Sequence, residues 1–225
     1  MARLVLWDID HTLIDTRGVG RELSAAAFRR VTGQTMREQA KIDGITEAVI
    51  FRETARLHGL NPDRADFDRF ADALTEEHLK QATELRERGH ALPGAAAALD
   101  ALDALDIQQT VVSGNIRRIS EIKLQVFGLD QHILWDLGAY GEESDVRADL
   151  VRLSLHRANV SPSEAVLIGD TPADVDGAHA NGVRVVAVAS GRSDEATLRG
   201  TGAESVLSDL RDLELLVKLV RGDAP

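Results

Sequence analysis

The stretch LVLWDIDHTLIDT, residues 4–16, begins with four apolar residues and then sets Asp8, Asp10 and Asp15 among a His and two Thr. An apolar run of this length bounded by polar residues reads as a short strand buried on both faces. The carboxylates then fall immediately beyond its carboxyl end. Further runs share this form: TVVS (110–113), HILWDLG (132–138), AVLIG (165–169) and VRVVAVA (183–189). Between the later ones lie IRRISEIKLQVFG, ADLVRLSLHRANV and PADVDGAHANG, each about one helix long. Strand and helix alternating in this way require right-handed crossovers and a parallel sheet covered on both faces, an α/β doubly wound, Rossmann-like core. In such sheets ligands bind beyond the carboxyl ends of the strands, the edge at which the acids of the opening stretch lie. A short strand near SVL and a helix through LLVKLV, within residues 203–220, close the sheet.

Residues 17–90 interrupt the alternation with helical periodicity and no strand between. VGRELSAAAFRRVTG ends on Gly33 and TEAVIFRETARLHG on Gly59, each a left-handed helix stop. Asn61 and Pro62 read as the N-cap and first residue of a helical segment running to Gly89. The expected division is therefore a helical cap, 17–90, inserted after the first strand of a core made of 1–16 and 91–225. Gly18 and Gly20, where the chain leaves the core, are candidate hinges. GAAAALDALDALD, 94–106, puts its apolar residues on one helical stripe and Asp on the other, an amphipathic helix and not a repeat.

The chain has 225 residues, 44% of them hydrophobic and 28% charged, with no run near the roughly 20 apolar residues of a membrane span. MARLVLWD is too short for a secretory signal, so a cytoplasmic, membrane-free protein is expected. The absence of Cys removes disulfides and thiolate metal sites. A formal charge of −11 argues against nucleic-acid binding and favours metal cations as partners. Oligomeric state, monomer or dimer, is left open.

Three polar turns end three of the expected strands: Asp8-Ile-Asp10-His-Thr12, Ser113-Gly114-Asn115, and Gly169-Asp170 leading to Asp174. Carboxylates on neighbouring loops raise each other's pKa unless a cation neutralises them. Mg²⁺ suits an all-oxygen site of this kind, and Asp8 and Asp170, each directly after an apolar run, are best placed to ligate it. Each turn alone is a weak signal among 37 acidic residues, because Asp and Gly also serve as ordinary caps. Their order and placement together are specific.

On these motifs the chain resembles the haloacid dehalogenase superfamily in its phosphatase branch, over nearly its whole length, with the cap placed as in phosphoglycolate phosphatase-like members. The resemblance implies that Asp8 is the nucleophile forming an aspartyl-phosphate. Asp10 would be the general acid and base, with a raised pKa and a backbone carbonyl on the metal. Thr12 would hold the loop or hydrogen-bond Asp10, and Asp174 would complete the metal set of Asp8, Asp10 and Asp170 directly or through water. Ser113 with the amides of Gly114 and Asn115 would bind the phosphoryl oxygens. The family Lys before the last acidic motif is missing: SDVRADLVRL offers Arg147 in its place, with Lys123 as rival. The implied substrate is a small phosphorylated metabolite.

Other residues carry less. His11 reads as a loop residue facing the cap or solvent, and the six other His include no pair four residues apart of the zinc type. Trp7 and Trp135 read as core. Arg117 and Arg118 are an anion site or a solvated face. Gly44-Ile45-Thr46 resembles the turn that cap-bearing members send toward the active site, which makes Thr46 a candidate substrate contact. A phosphomutase of the β-phosphoglucomutase type would share every motif. A hydrolytic dehalogenase would need neither Asp10 nor the Asp170/Asp174 pair, and a receiver-like signalling module would lack the cap.

Overall fold

The computed structural model describes residues 2–223. Its centre is β1 (Leu4–Trp7), buried at every position and paired in parallel with β4 (Gln108–Val111) on one side and β5 (Ala165–Gly169) on the other. The sheet continues through β6 (Arg184–Val188) to β7 (Ser205–Leu207), in the order β4-β1-β5-β6-β7. The chain leaves β1 toward one neighbour and later returns on its other side, so the strand order reverses at β1. The crevice beyond its carboxyl end is the ligand position of such a sheet.

Both faces of the sheet are covered, which is why β1 and β5 are apolar without alternation. Val5, Trp7 and Ile168 pack under α5 (Ala95–Asp103) and α10 (Leu213–Arg221) through Leu99, Leu102, Leu216 and Val220. Leu4, Leu6 and Leu167 pack on the opposite face under α7 (Arg147–Ala158) and α8 (Pro172–Ala180). Trp7 is wholly buried, its indole N–H donating to Gln109 Oε1 at 3.0 Å, and Trp135 packs partly buried against the same cluster, so both tryptophans belong to the core. Leu198 of α9 (Glu195–Gly200) joins the second face.

A two-stranded antiparallel ribbon, β2 (Ile14–Asp15) with β3 (His90–Ala91), stands where the chain leaves the sheet and where it comes back. Between the two strands lie only helices: α1 (Val19–Thr32), α2 (Glu47–Leu57), α3 (Arg64–Lys80) and α4 (Ala82–Arg88). They bury an apolar cluster of their own, with Phe51 stacked on Phe70 at a ring separation of 4.5 Å and Phe28, Phe67, Leu74 and Leu85 around it. The cluster extends to Ile116 and Ile119, at and in α6 (Arg117–Val126), and thereby seats the helices over the sheet edge.

The structure corrects several local expectations. HILWDLG is not a strand: it makes isolated bridges at Ile133 and Ala139 around a 3₁₀ turn, Trp135–Leu137. The third long helix begins after Asp63, not at Pro62, because Asp63 and Asp66 cap each other's backbone N–H groups. It also breaks at Gln81 instead of running on to Gly89. Gly18 stands just before α1 with a φ of 86°, whereas Gly20, read as a second hinge, lies inside α1. No helix among the described residues is long and apolar enough to cross a membrane.

Candidate active site

The three polar turns converge on one cleft of about 970 Å³, mouth included, lined by Asp8, Asp10, Ser113, Asn115, Lys123, Arg147 and Asp170 from below and by α1, the 42–47 loop, α2 and α3 from above. Asp8 is the first residue after β1, with its N–H still donating to Ile168 O at 2.9 Å, so the sheet itself fixes its position. Carboxylate oxygens of Asp8, Asp170 and Asp174 lie within 4.8 Å of one another, and all three residues are buried. Gly169 admits this crowding, since a Cβ there would meet the Asp174 carboxyl at 2.5 Å.

Burial pushes Asp8 and Asp170 well above the usual carboxylate range, and the neighbouring acids add to it. For Asp8 the Arg147 guanidinium opposes the shift, donating from Nη2 to Asp8 Oδ1 at 2.6 Å. Arg147 also donates from Nε to Asp174 Oδ1 at 3.0 Å and from Nη2 to the same oxygen. The other Asp174 oxygen accepts from the Thr171 amide at 3.1 Å and hydroxyl at 2.7 Å. Both Asp174 oxygens are thus engaged by protein donors, whereas among the described residues Asp170 accepts only the Thr12 hydroxyl, at 3.2 Å. Thr12 therefore serves Asp170, not Asp10. A divalent cation fits this donor set: the oxygens are all carboxylate, crowded, and short of positive charge on the Asp170 side.

Lys123 and Arg147, read as rivals for one position, both enter the site. Lys123 Nζ donates to Asp10 Oδ1 and Oδ2 at 2.8 and 2.7 Å and to Asn115 Oδ1 at 2.8 Å. Burial alone would push the Asp10 carboxyl up. Lys123, helped by the Asn115 amide 2.6 Å from Oδ2, more than offsets it and leaves Asp10 below the usual range. The expectation of a raised pKa is thus overturned by a cation in the second turn of α6. Ser113 Oγ receives the Asn115 backbone and side-chain N–H groups at 3.2 and 2.9 Å. Gly114 carries a further load: its carbonyl accepts the Glu47 N–H at 2.8 Å, and a Cβ on it would run into Ile45 O. This contact docks the 42–47 loop on the sheet edge.

That loop reaches the cleft as expected, but through a different side chain. Ile45 and Glu47 line it; Thr46 is 1% exposed, its hydroxyl without a partner among the described residues, and does not line it. Glu47 and His78, two cleft residues that the sequence does not single out, come from the start and end of helices whose periodicity says only which face is apolar. His11 lines the cleft in a left-handed turn, φ 63°. Arg117 and Arg118 pair with Glu121 and Asp136 on the surface, a solvated face and not an anion site.

The sequence model of the family described as haloacid dehalogenase-like hydrolase matches residues 5–188. A phosphoglycolate phosphatase of Pseudomonas putida is 26% identical over 95% of this chain and 79% of its own. Among solved structures, a hydrolase from Pseudomonas syringae superposes with a TM-score of 0.71 at 18% identity, covering 97% of this chain and 99% of that one. CbbY from Rhodobacter sphaeroides, solved with phosphate, gives 0.67 at 19% identity over 95% and 96%. At these identities the structures speak for the fold alone.

Proposed function

The chain belongs to the haloacid dehalogenase-like hydrolases, and on that premise we propose that it is a Mg²⁺-dependent phosphatase of small phosphorylated metabolites, working through an aspartyl-phosphate on Asp8. The observation that carries this reading is the setting of Asp8: buried at the end of β1, held through one oxygen by Arg147, and crowded by Asp170. The 79% coverage of a phosphoglycolate phosphatase supports the substrate class at the level of a phosphomonoester.

In this reading Asp8, the Asp10 backbone carbonyl and Asp170 would hold the metal, which when bound would offset the carboxylate charge and that of the phosphate. Asp174 acts one step back, fixing Arg147. The free Asp8 oxygen attacks phosphorus, the ester P–O bond breaks, and the departing alkoxide takes a proton from Asp10. Water, losing its proton to Asp10, then attacks phosphorus and releases phosphate with Asp8 restored. Ser113 and the Gly114 and Asn115 amides donate to the equatorial oxygens. Lys123 disfavours a proton on Asp10, so the incoming phosphate also acts on that pair, drawing the ammonium off Asp10 and letting the carboxyl hold its proton. Residues 17–90 act as a cap on the core formed by 1–16 and 91–225, excluding bulk water from the cleft.

A hydrolytic dehalogenase has no use for Asp10 or for the acid cluster around Asp170. A phosphomutase would return an isomeric phosphate instead of free phosphate. Release of inorganic phosphate from a panel of phosphomonoesters, with Mg²⁺ and with chelator, tests the proposal; Mg²⁺-dependent release supports it, and isomerisation without release overturns it.

A further inference from the structure

The cleft wall opposite the carboxylates is built from α2 and α3, and two of its polar side chains present atoms without protein partners. His78 is 2% exposed and lines the cleft. Its Nδ1 lies 2.9 Å from Leu74 O, an atom that can only accept, so Nδ1 carries the ring proton and Nε2 presents a lone pair. Nε2 is buried without a hydrogen-bond partner among the described residues. Burial and the nearby Lys123 charge lower His78 to about 4, which keeps the ring neutral and Nε2 an acceptor. Glu47, the first residue of α2, is tied by its backbone to Gly114, yet its carboxyl makes no hydrogen bond or ion pair among the described residues.

The cations of the same cleft are committed to other partners or stand at its mouth, although the Lys123 charge is close enough to act on both His78 and Glu47. Arg147 is committed to Asp8 and Asp174, Lys123 to Asp10 and Asn115, and Arg21 stands exposed at the mouth. The wall therefore holds two acceptors without donors among the described residues, one of them acidic, on the cap side of the cleft. A buried acceptor left unmet is costly, and a ligand donor meeting it gains that difference.

We propose that Glu47 and His78 select phosphomonoesters whose alcohol half carries hydroxyl groups over those whose alcohol half carries a carboxylate. The proposal rests on the phosphatase reading. A hydroxyl donates to His78 Nε2 and another to the Glu47 carboxylate, whereas a carboxylate would meet Nε2 without a proton and Glu47 with a like charge.

The test compares glycerol phosphate with phosphoglycolate, of similar size, on the full-length protein with Mg²⁺ above pH 7, where Glu47 is charged. The wild type is expected to favour glycerol phosphate in kcat/KM by about tenfold or more. Glu47→Lys should invert the preference, and His78→Gln, which keeps an acceptor, should retain what His78→Leu loses. A wild type that favours phosphoglycolate, or a ratio that Glu47→Lys leaves unmoved, overturns the proposal. Calorimetric binding of the two esters to Asp8→Asn and Asp8→Asn/Glu47→Lys proteins reads the same ratio without turnover. Hydrolysis of p-nitrophenyl phosphate by the wild type decides the phosphatase reading separately: its absence sinks that reading, while the binding ratio still decides this one.

Discussion

Lys123 holds both carboxylate oxygens of Asp10 within 2.8 Å of its ammonium, although the two residues stand 113 positions apart in the chain. The pair joins α6 to the loop after β1, and Asn115 completes it from the loop before α6. Lys123→Met should lower the rate of phosphate release by roughly tenfold to a hundredfold, since it removes charge from both Asp10 and the phosphate position. Steady-state kinetics with the variant check this. A rate near wild type would remove Lys123 from the site chemistry.

Arg147 bridges two buried acids, so Arg147→Ala leaves Asp8 and Asp174 without a counter-charge. The expected loss of stability is about 3–5 kcal/mol in metal-free protein. Arg147→Lys should recover only part of it, because an ammonium cannot keep the forked contact to two carboxylates. Chemical denaturation of the three proteins measures the difference.

Asp170 sits high above the usual carboxylate range because it is buried beside other acids, and the Thr12 hydroxyl alone meets it among the described residues. Mg²⁺ at about a hundred times its Kd should stabilise the wild type by about 2.7 kcal/mol. Asp170→Asn should be more stable than wild type in chelator and should lose the Mg²⁺ response. Thermal melts with and without the ion read both effects.

Two groups over the cleft oppose each other in pH. His78, ordinarily near 6.5, is lowered to about 4, so the unfolded chain binds the extra proton between those values and stability falls as pH falls through them. Glu47, ordinarily near 4.5, is raised to about 7 by burial, so the folded chain binds the extra proton in that window and stability falls as pH rises through it. Glu47→Gln should therefore raise Tm at pH above 7 and change it little below 4.5. His78→Gln should reduce the loss on the acid side. Melting curves of both variants across the acid-to-neutral range separate the contributions.

The acids at the strand ends are legible in the sequence because LVLW and AVLIG are buried on both faces, a state that leaves no room for polar residues until the strand stops. HILWDLG has a similar composition but bends at a 3₁₀ turn, and composition does not register the bend. Pro62 misplaces the start of α3 because it is a general signal, while the mutual capping of Asp63 and Asp66 depends on both side chains turning inward. Spacing to Asp170 leads to Asp145, and Arg147 is found only as the nearest cation, two residues further on. The pairing of Lys123 with Asp10 cannot be found from spacing, because it depends on how α6 rolls against β1. Glu47 escapes by a single position: the turn Gly44-Ile45-Thr46 points to the right loop, and packing against Gly114 buries Thr46 and turns Glu47 to the cleft.

The most direct test of the central claim is acid quenching, within milliseconds, of the protein turning over a phosphorus-labelled phosphomonoester with Mg²⁺, followed by peptide mapping. The label is expected on the peptide containing Asp8, acid-stable and released by hydroxylamine, and absent from Asp8→Asn, which should also be inactive. Label on any other residue, or turnover by Asp8→Asn near the wild-type rate, would contradict the account.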